Sequence, residues 1–261
     1  MMIIDSVVSF LQQWAPPVLA EEWDNVGLLV GDPGGRLERL MTCLTITPAT
    51  VAEAVQGRAE LIVSHHPFPF HPLRRVTTQT VTGRMLWELA AARIAVYCPH
   101  TALDSAPRGI NQQLARGLKL RGVTPLLSAA QGFGAGRMGW LETPVSLGQL
   151  ARRAREFLHL GGLSLVGDPE QSVRTVAVAC GAAGSLLEQA IEHGCDAMLV
   201  GEMRFHACLE AEAAGLGLIL PGHYASERFA LERLATLLAE KFPGLEVWAS
   251  RQERDPIRWL D

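Results

Sequence analysis

A chain of 261 residues, 48% hydrophobic and 19% charged, is long enough for one large α/β domain or two lobes of roughly 100 to 150 residues each. Its formal charge of −4 leaves no general excess of positive charge to hold a phosphate backbone, and apolar runs such as Leu216 to Leu220 fall far short of the roughly 20 residues that cross a bilayer. Five cysteines with no Cys-x-x-Cys spacing argue against a disulfide framework or a thiolate zinc knuckle. The opening Met1-Met2-Ile3-Ile4-Asp5 lacks the basic stretch of a secretory signal, so a cytoplasmic location is expected.

The first helix is predicted from about Ser6 to Trp14, where Val7, Val8, Phe10, Leu11 and Trp14 form a helical stripe, Asp5 or Ser6 can cap it and Pro16-Pro17 ends it. The acidic segment from Glu21 to Asp32 runs through Gly27 into a strand and a Gly/Pro turn at Asp32 to Gly35. Further elements are a strand over Cys43 to Thr47, a helix over Thr50 to Gln56 and a strand over Leu61 to Ser64. A helix over Thr82 to Ala92 and a strand over Ile94 to Cys98 then lead to His100. After a segment containing Gly132-Phe133-Gly134-Ala135-Gly136-Arg137 and a helix over Leu147 to Leu158, the plan repeats. It gives strand Thr175 to Ala179, a turn at Gly181 to Ser185, helix Leu186 to His193, strand Ala197 to Val200, helix Ala207 to Ala214 and strand Leu216 to Leu220, and then reaches His223. This alternation predicts βαβ units. Two related lobes are expected, 1–124 and 125–261, with ligand groups beyond the carboxyl ends of the strands and a site between the lobes.

The chemistry-bearing residues sit at those strand ends. His100-Thr101-Ala102-Leu103-Asp104 and His223-Tyr224-Ala225-Ser226-Glu227 each place a histidine four residues before a carboxylate, so in a helical turn both groups share a face. His65 and His66 end a third apolar run. Together these residues supply nitrogen and oxygen donors for two divalent ions, with zinc, iron, manganese, nickel or cobalt all suited. Paired ions about 3.5 to 4 Å apart can activate water and stabilise a developing oxyanion.

Other features carry less. The basic cluster Arg152, Arg153 and Arg155 reads as a solvated helix face. The Gly132 to Gly136 run lacks the strand-then-helix context of a dinucleotide fingerprint and reads as a turn, beside which Arg137 is available to a phosphate. The Gly181 to Ser185 turn reads as structural, although a turn opening a helix also suits an anion. Ser64 and Cys98 have histidines nearby in sequence but no implied base-to-nucleophile geometry. His71, His159 and His193 have no companion carboxylate at ligand spacing. Glu202 and His206 form a further i, i+4 pair in reversed order.

Glu22-Trp23-Asp24-Asn25-Val26-Gly27-Leu28, Ser64-His65-His66-Pro67, His100-Thr101-x-x-Asp104, Gly136-Arg137-Met138-Gly139, Ala179-Cys180-Gly181-Ala182-Ala183-Gly184-Ser185 and Gly222-His223-x-x-Ser226-Glu227 occur in this order over nearly the whole chain. With them the sequence resembles the Nif3-like dinuclear metal-centre family, known as GTP cyclohydrolase 1 type 2 homologues. The resemblance implies a two-lobed α/β fold, metals held between the lobes and a toroidal homohexamer. It implies His65, His66, Asp104, His223 and Glu227 as ligands, with Glu227 bridging, and moves His100 from ligand to supporting residue. Where the family often has Gly-Gly-x-Gly, this chain has Cys180-Gly181-Ala182-Ala183-Gly184.

The expectation that follows is a cytosolic, dinuclear-metal-dependent hydrolase whose metal-activated water attacks a nucleotide or related heterocycle. His100, Glu22 or Asp24 would orient that water or move a proton. The alternative is a metal-binding regulatory or scaffold hexamer without turnover. Nucleic acid and membrane are not expected partners.

Overall fold

The computed structural model describes residues 2–129 and 133–258. The chain forms two compact α/β units, one of Met1–Leu103 with Ala230–Asp261 and the other of Asp104–Phe229.

In the first unit, strands β1 (Gly27–Val30), β2 (Arg39–Cys43), β3 (Leu61–Ser64) and β4 (Ala95–Cys98) are interleaved with helices α1 (Ile4–Trp14), α2 (Pro48–Gln56) and α3 (Val81–Ala91). β3 and β4 are buried at every position, the pattern of parallel strands covered on both faces. β2, β3 and β4 run parallel as neighbours, and β1 closes one edge antiparallel to β4. Met41, Ile62 and Val96 of the sheet pack with Val51 and Ala54 of α2 and Met85 and Leu89 of α3 in one core. Thr47 starts α2 with a reciprocal capping box to Thr50, and Pro48 occupies the first turn, where its missing N–H costs nothing. Thr80 caps α3 by accepting from the Gly83 N–H.

Helix α4 (His100–Ser105) leads into the second unit, which continues through α5 (Ile110–Gly117), β5 (Arg121–Thr124), β6 (Leu127–Ser128), β7 (Gly134–Ala135), β8 (Arg137–Ser146), α6 (Leu147–Phe157) and β9 (Ser164–Val166). β10 (Ser172–Ala179), α7 (Leu187–Glu192), β11 (Ala197–Val200), α8 (Phe205–Ala213) and β12 (Gly217–Leu220) follow. Its sheet has the order β5-β8-β10-β11-β12-β9. β10, β11 and β12 are parallel neighbours flanked by antiparallel β8 and β9. The repeated plan read from the sequence is therefore present as two sets of three consecutive parallel strands with intervening helices. In α6, Leu147, Leu150, Ala151 and Ala154 are buried, while Arg152 and Arg155 are exposed and Arg153 donates to the Leu118 carbonyl at 3.0 Å. The basic cluster is thus a helix surface.

The last helix, α9 (His223–Lys241), begins in the second unit and ends in the first, where β13 (Glu246–Ala249) adds to the sheet parallel to β2. This differs from the expected division at 124/125. The cause is long-range: Trp248 packs against the first core, and the Glu53 carboxylate accepts from the Trp248 indole, the Ser250 hydroxyl and the Arg251 and Gln252 N–H groups. Burial opposes ionisation of Glu53, but these hydrogen bonds hold its pKa below the ordinary value. Asp104, expected in the N-terminal lobe, belongs to the second unit.

Local expectations are corrected at two places. The strand expected over Cys43 to Thr47 lies four residues earlier, and Thr47 is instead a helix cap. Neither Asp5 nor Ser6 caps α1; its N-cap is Ile3 without a side-chain bond, because the Ile4 and Asp5 N–H groups donate to the Gly35 and Pro33 carbonyls. Gly132 of the glycine run lies outside the described residues. No helix among the described residues is long and apolar enough to cross a membrane.

Candidate metal centre

In the first unit, β3 ends at Ser64 and delivers His65 and His66, held to the neighbouring strand end by His65 N–H to the Cys43 carbonyl and His66 N–H to the Leu44 carbonyl. β4 ends at Cys98, and Pro99 turns the chain into α4 at His100, whose φ is +24°. A side-chain-bearing residue at such an angle is strained, a condition that persists only where its surroundings fix it. One ring nitrogen each of His65, His66 and His100 lies within 4.8 Å of the others.

The His66 and His100 rings are oriented from behind. The Thr45 hydroxyl lies 2.7 Å from His66 Nδ1, which leaves Nε2 as the outward nitrogen. Asp24 Oδ1 lies 2.8 Å from His100 Nδ1, and its other oxygen accepts from the Thr101 N–H at 3.1 Å and from the Thr101 hydroxyl. Burial works against the Asp24 charge, but the bonds from His100 and Thr101 prevail and bring its pKa from 3.8 down to about 2. A buried carboxylate on one imidazole nitrogen fixes the tautomer and leaves the other nitrogen as lone pair or acid. The buried Cys98 thiol donates to the His65 carbonyl at 2.9 Å, so it serves the backbone. Glu22 is exposed on the turn before Asp24, with no hydrogen bond or ion pair among the described residues.

In the second unit, His223 opens α9 after Pro221-Gly222. Its Nδ1 lies 3.1 Å from Glu202 Oε1, and its Nε2 lies 3.2 Å from Glu227 Oε2 one helical turn on. The hydrogen bond to Glu227 outweighs burial and, with Glu202, raises the His223 pKa to about 9. Glu202, paired in the sequence reading with His206, is paired here with His223, and His206 is exposed.

Behind these residues lies a junction that sequence reading missed. The Cys180 thiol donates to Asp104 Oδ1 at 3.1 Å, and Asn111 accepts from the Cys180 N–H at 2.7 Å while donating to the Asp104 carbonyl. Burial, reinforced by the Asp104 and Glu227 charges, raises the Cys180 pKa well above the ordinary thiol value. It is a neutral donor to Asp104. The Ser226 hydroxyl accepts from the Gly181 N–H at 2.9 Å and donates to the His223 carbonyl at 2.8 Å. Gly181 has φ +60°, and a Cβ there would stand 2.3 Å from Glu227 Oε1. Glycine is therefore favoured twice over, by angle and because a Cβ would push the Glu227 carboxylate aside. The departure from a double glycine at Cys180 leaves Gly181 in place.

Arg137, offered to a phosphate by the sequence, is committed elsewhere. It is 2% exposed, and its five N–H donors serve the Gly134, Gly136, Ser105 and Ala106 carbonyls and the Gln112 side chain.

A mixed α/β fold whose strand ends present clustered imidazoles, and a second His–carboxylate cluster, is that of a protein able to hold a divalent metal. The Duf34/NIF3 (NGG1p interacting factor 3) family model matches residues 2–256, and the chain belongs to that family. A Streptomyces coelicolor protein named GTP cyclohydrolase 1 type 2 homolog is 36% identical over 231 residues, covering 86% of this chain and 81% of the relative. NIF3-like protein 1 of Drosophila melanogaster is 33% identical over 263 residues, covering 97% and 87%. The crystal structure of a Bacillus cereus protein related to NIF3 superposes with a TM-score of 0.91 over 99% of each chain at 21% identity, a likeness of fold.

Proposed function

We propose that this chain is a dinuclear-metal-dependent hydrolase acting on a nucleotide or related heterocycle, as the names of its relatives suggest. The observation that carries the proposal is the histidine cluster at the ends of β3 and β4, with His100 held by a buried Asp24. In this reading His65, His66, Asp104, His223 and Glu227 would hold two divalent ions. The donor set fits: imidazoles and carboxylates without thiolate suit zinc, iron, manganese, nickel or cobalt. Glu202 on His223 and Thr45 on His66 occupy the ring nitrogen remote from the ligand atom, the usual device for aiming a metal-binding imidazole. The bound ions would supply Lewis acidity and a water of lowered pKa.

The remaining residues handle protons and position. His100, with Nδ1 on Asp24, presents Nε2 toward His65 and His66 and can take a proton from water or return one to a leaving group. Asp24 holds the tautomer and steadies the imidazolium as it forms. Glu22, exposed, can serve at most as a proton relay to solvent. A cytoplasmic location and a homohexamer complete the proposal.

Formate release from GTP by the metal-loaded chain tests it. Metal-dependent release that is lost in the His65→Ala, His66→Ala double variant supports cyclohydrolase chemistry. Absence of release at full metal occupancy refutes GTP as substrate and favours the regulatory or scaffold reading.

A further inference from the structure

The second unit holds a cavity of about 600 Å³ walled by Ala182, Gly184, Glu202, Met203, Arg204 and Ala207, within the size range of small-molecule sites. Glu202 is one of its lining residues, and Glu202 Oε1 is 3.1 Å from His223 Nδ1, so the lining is in contact with a proposed metal ligand. Met203, Ala182 and Ala207 give it an apolar side. Gly184 keeps that side in shape, since a Cβ there would approach Met203 Sδ to 3.2 Å. Arg204 is exposed at the start of α8, with no hydrogen bond or ion pair from its guanidinium among the described residues.

We propose that this cavity binds the oxyanionic end of a small organic substrate, a phosphate or carboxylate on an apolar body, with Arg204 as the recognising cation. The inference rests on the hydrolase reading for the word substrate, and on the cavity alone for binding. The two charges on the wall set the direction. Glu202, engaged with His223, repels an anion, and Arg204 offers a planar fork that matches phosphate or carboxylate. The anion therefore lies at the Arg204 end, and the neutral body of the ligand extends along Met203 toward Glu202 and His223. Arg204 is a specificity-determining residue in this account.

Calorimetric titration of the metal-loaded full chain with phenyl phosphate, benzoate and benzyl alcohol tests it. One of the two anions binds about tenfold more tightly than the alcohol, and the tighter of them identifies the oxyanion. Arg204→Ala, with metal content and circular dichroism unchanged, loses that preference, and Arg204→Lys keeps part of it. Equal binding of all three probes, or a preference that survives Arg204→Ala, overturns the inference. Arg204-dependent anion binding without formate release from GTP leaves this site standing while the cyclohydrolase reading falls. Turnover with KM unaltered in Arg204→Ala does the reverse.

Discussion

Replacing Gly181 by alanine tests whether the turn after β10 shapes the proposed metal site. Two costs can be separated. At φ +60° an alanine pays about 1–2 kcal/mol in backbone strain. Its Cβ would also stand 2.3 Å from Glu227 Oε1 and 3.3 Å from His223 Nε2, well inside contact distance, so the carboxylate swings aside by on the order of 1 Å. Gly194 supplies the control, with φ +64° and nothing within 4 Å of its added Cβ. Urea unfolding of the metal-free proteins should show similar losses for Gly181→Ala and Gly194→Ala. Metal titration should show a loss of about 10- to 100-fold in affinity for Gly181→Ala alone. Unchanged metal affinity in Gly181→Ala, or an equal loss in Gly194→Ala, refutes the idea that glycine there makes room for the Glu227 carboxylate.

Asp24→Asn removes the carboxylate that holds His100. Because the folded pKa of Asp24 is depressed from 3.8 to about 2, its contribution is fully present above about pH 4 and fades as pH falls toward about 2. The variant should therefore lose on the order of 1–2 kcal/mol at neutral pH, and its difference from the parent should shrink across that acid window in denaturant titrations. A pH-independent difference would count against the pairing. Thr45→Val removes the partner of His66 Nδ1 and should weaken metal binding about tenfold with little change in unfolding midpoint, as metal titration and thermal melting would show. Arg137→Lys cannot supply five donors in one plane and should destabilise the second unit by roughly 3 kcal/mol; a stability equal to the parent's would show that the carbonyls it serves find other donors.

The regular elements were legible where one physical signal dominated. Leu61–Ser64 and Ala197–Val200 are continuous apolar runs, and both strands have the limits read from the sequence. The helix read over Leu147 to Leu158 is α6 within one residue. Cys43 to Thr47 misled because its threonines and isoleucine favour strands, whereas Thr45 and Thr47 spend their hydroxyls on His66 and the α2 cap. β8 escaped notice with Gly139 and Pro144 inside it, and β13 is a four-residue edge whose place depends on pairing with distant β2. At the site, the His-x-x-x-carboxylate spacing and the strand-end histidines were local signals. Cys180, Asn111 and Glu202 act on partners 76, 69 and 21 residues away, a relation that spacing does not encode. Ser226 was visible only as part of a motif; its bond to Gly181 spans 45 residues.

His65, His66, Asp104, His223 and Glu227 are proposed to bind two divalent ions. Elemental analysis by mass spectrometry of the purified chain, after dialysis against manganese or zinc, tests it most directly beside His65→Ala/His66→Ala and Glu227→Ala variants shown to be folded by circular dichroism. About two ions per parent chain are expected, with a clear loss in both variants. Full metal retention by both variants, or a parent chain that binds no ion, would contradict it.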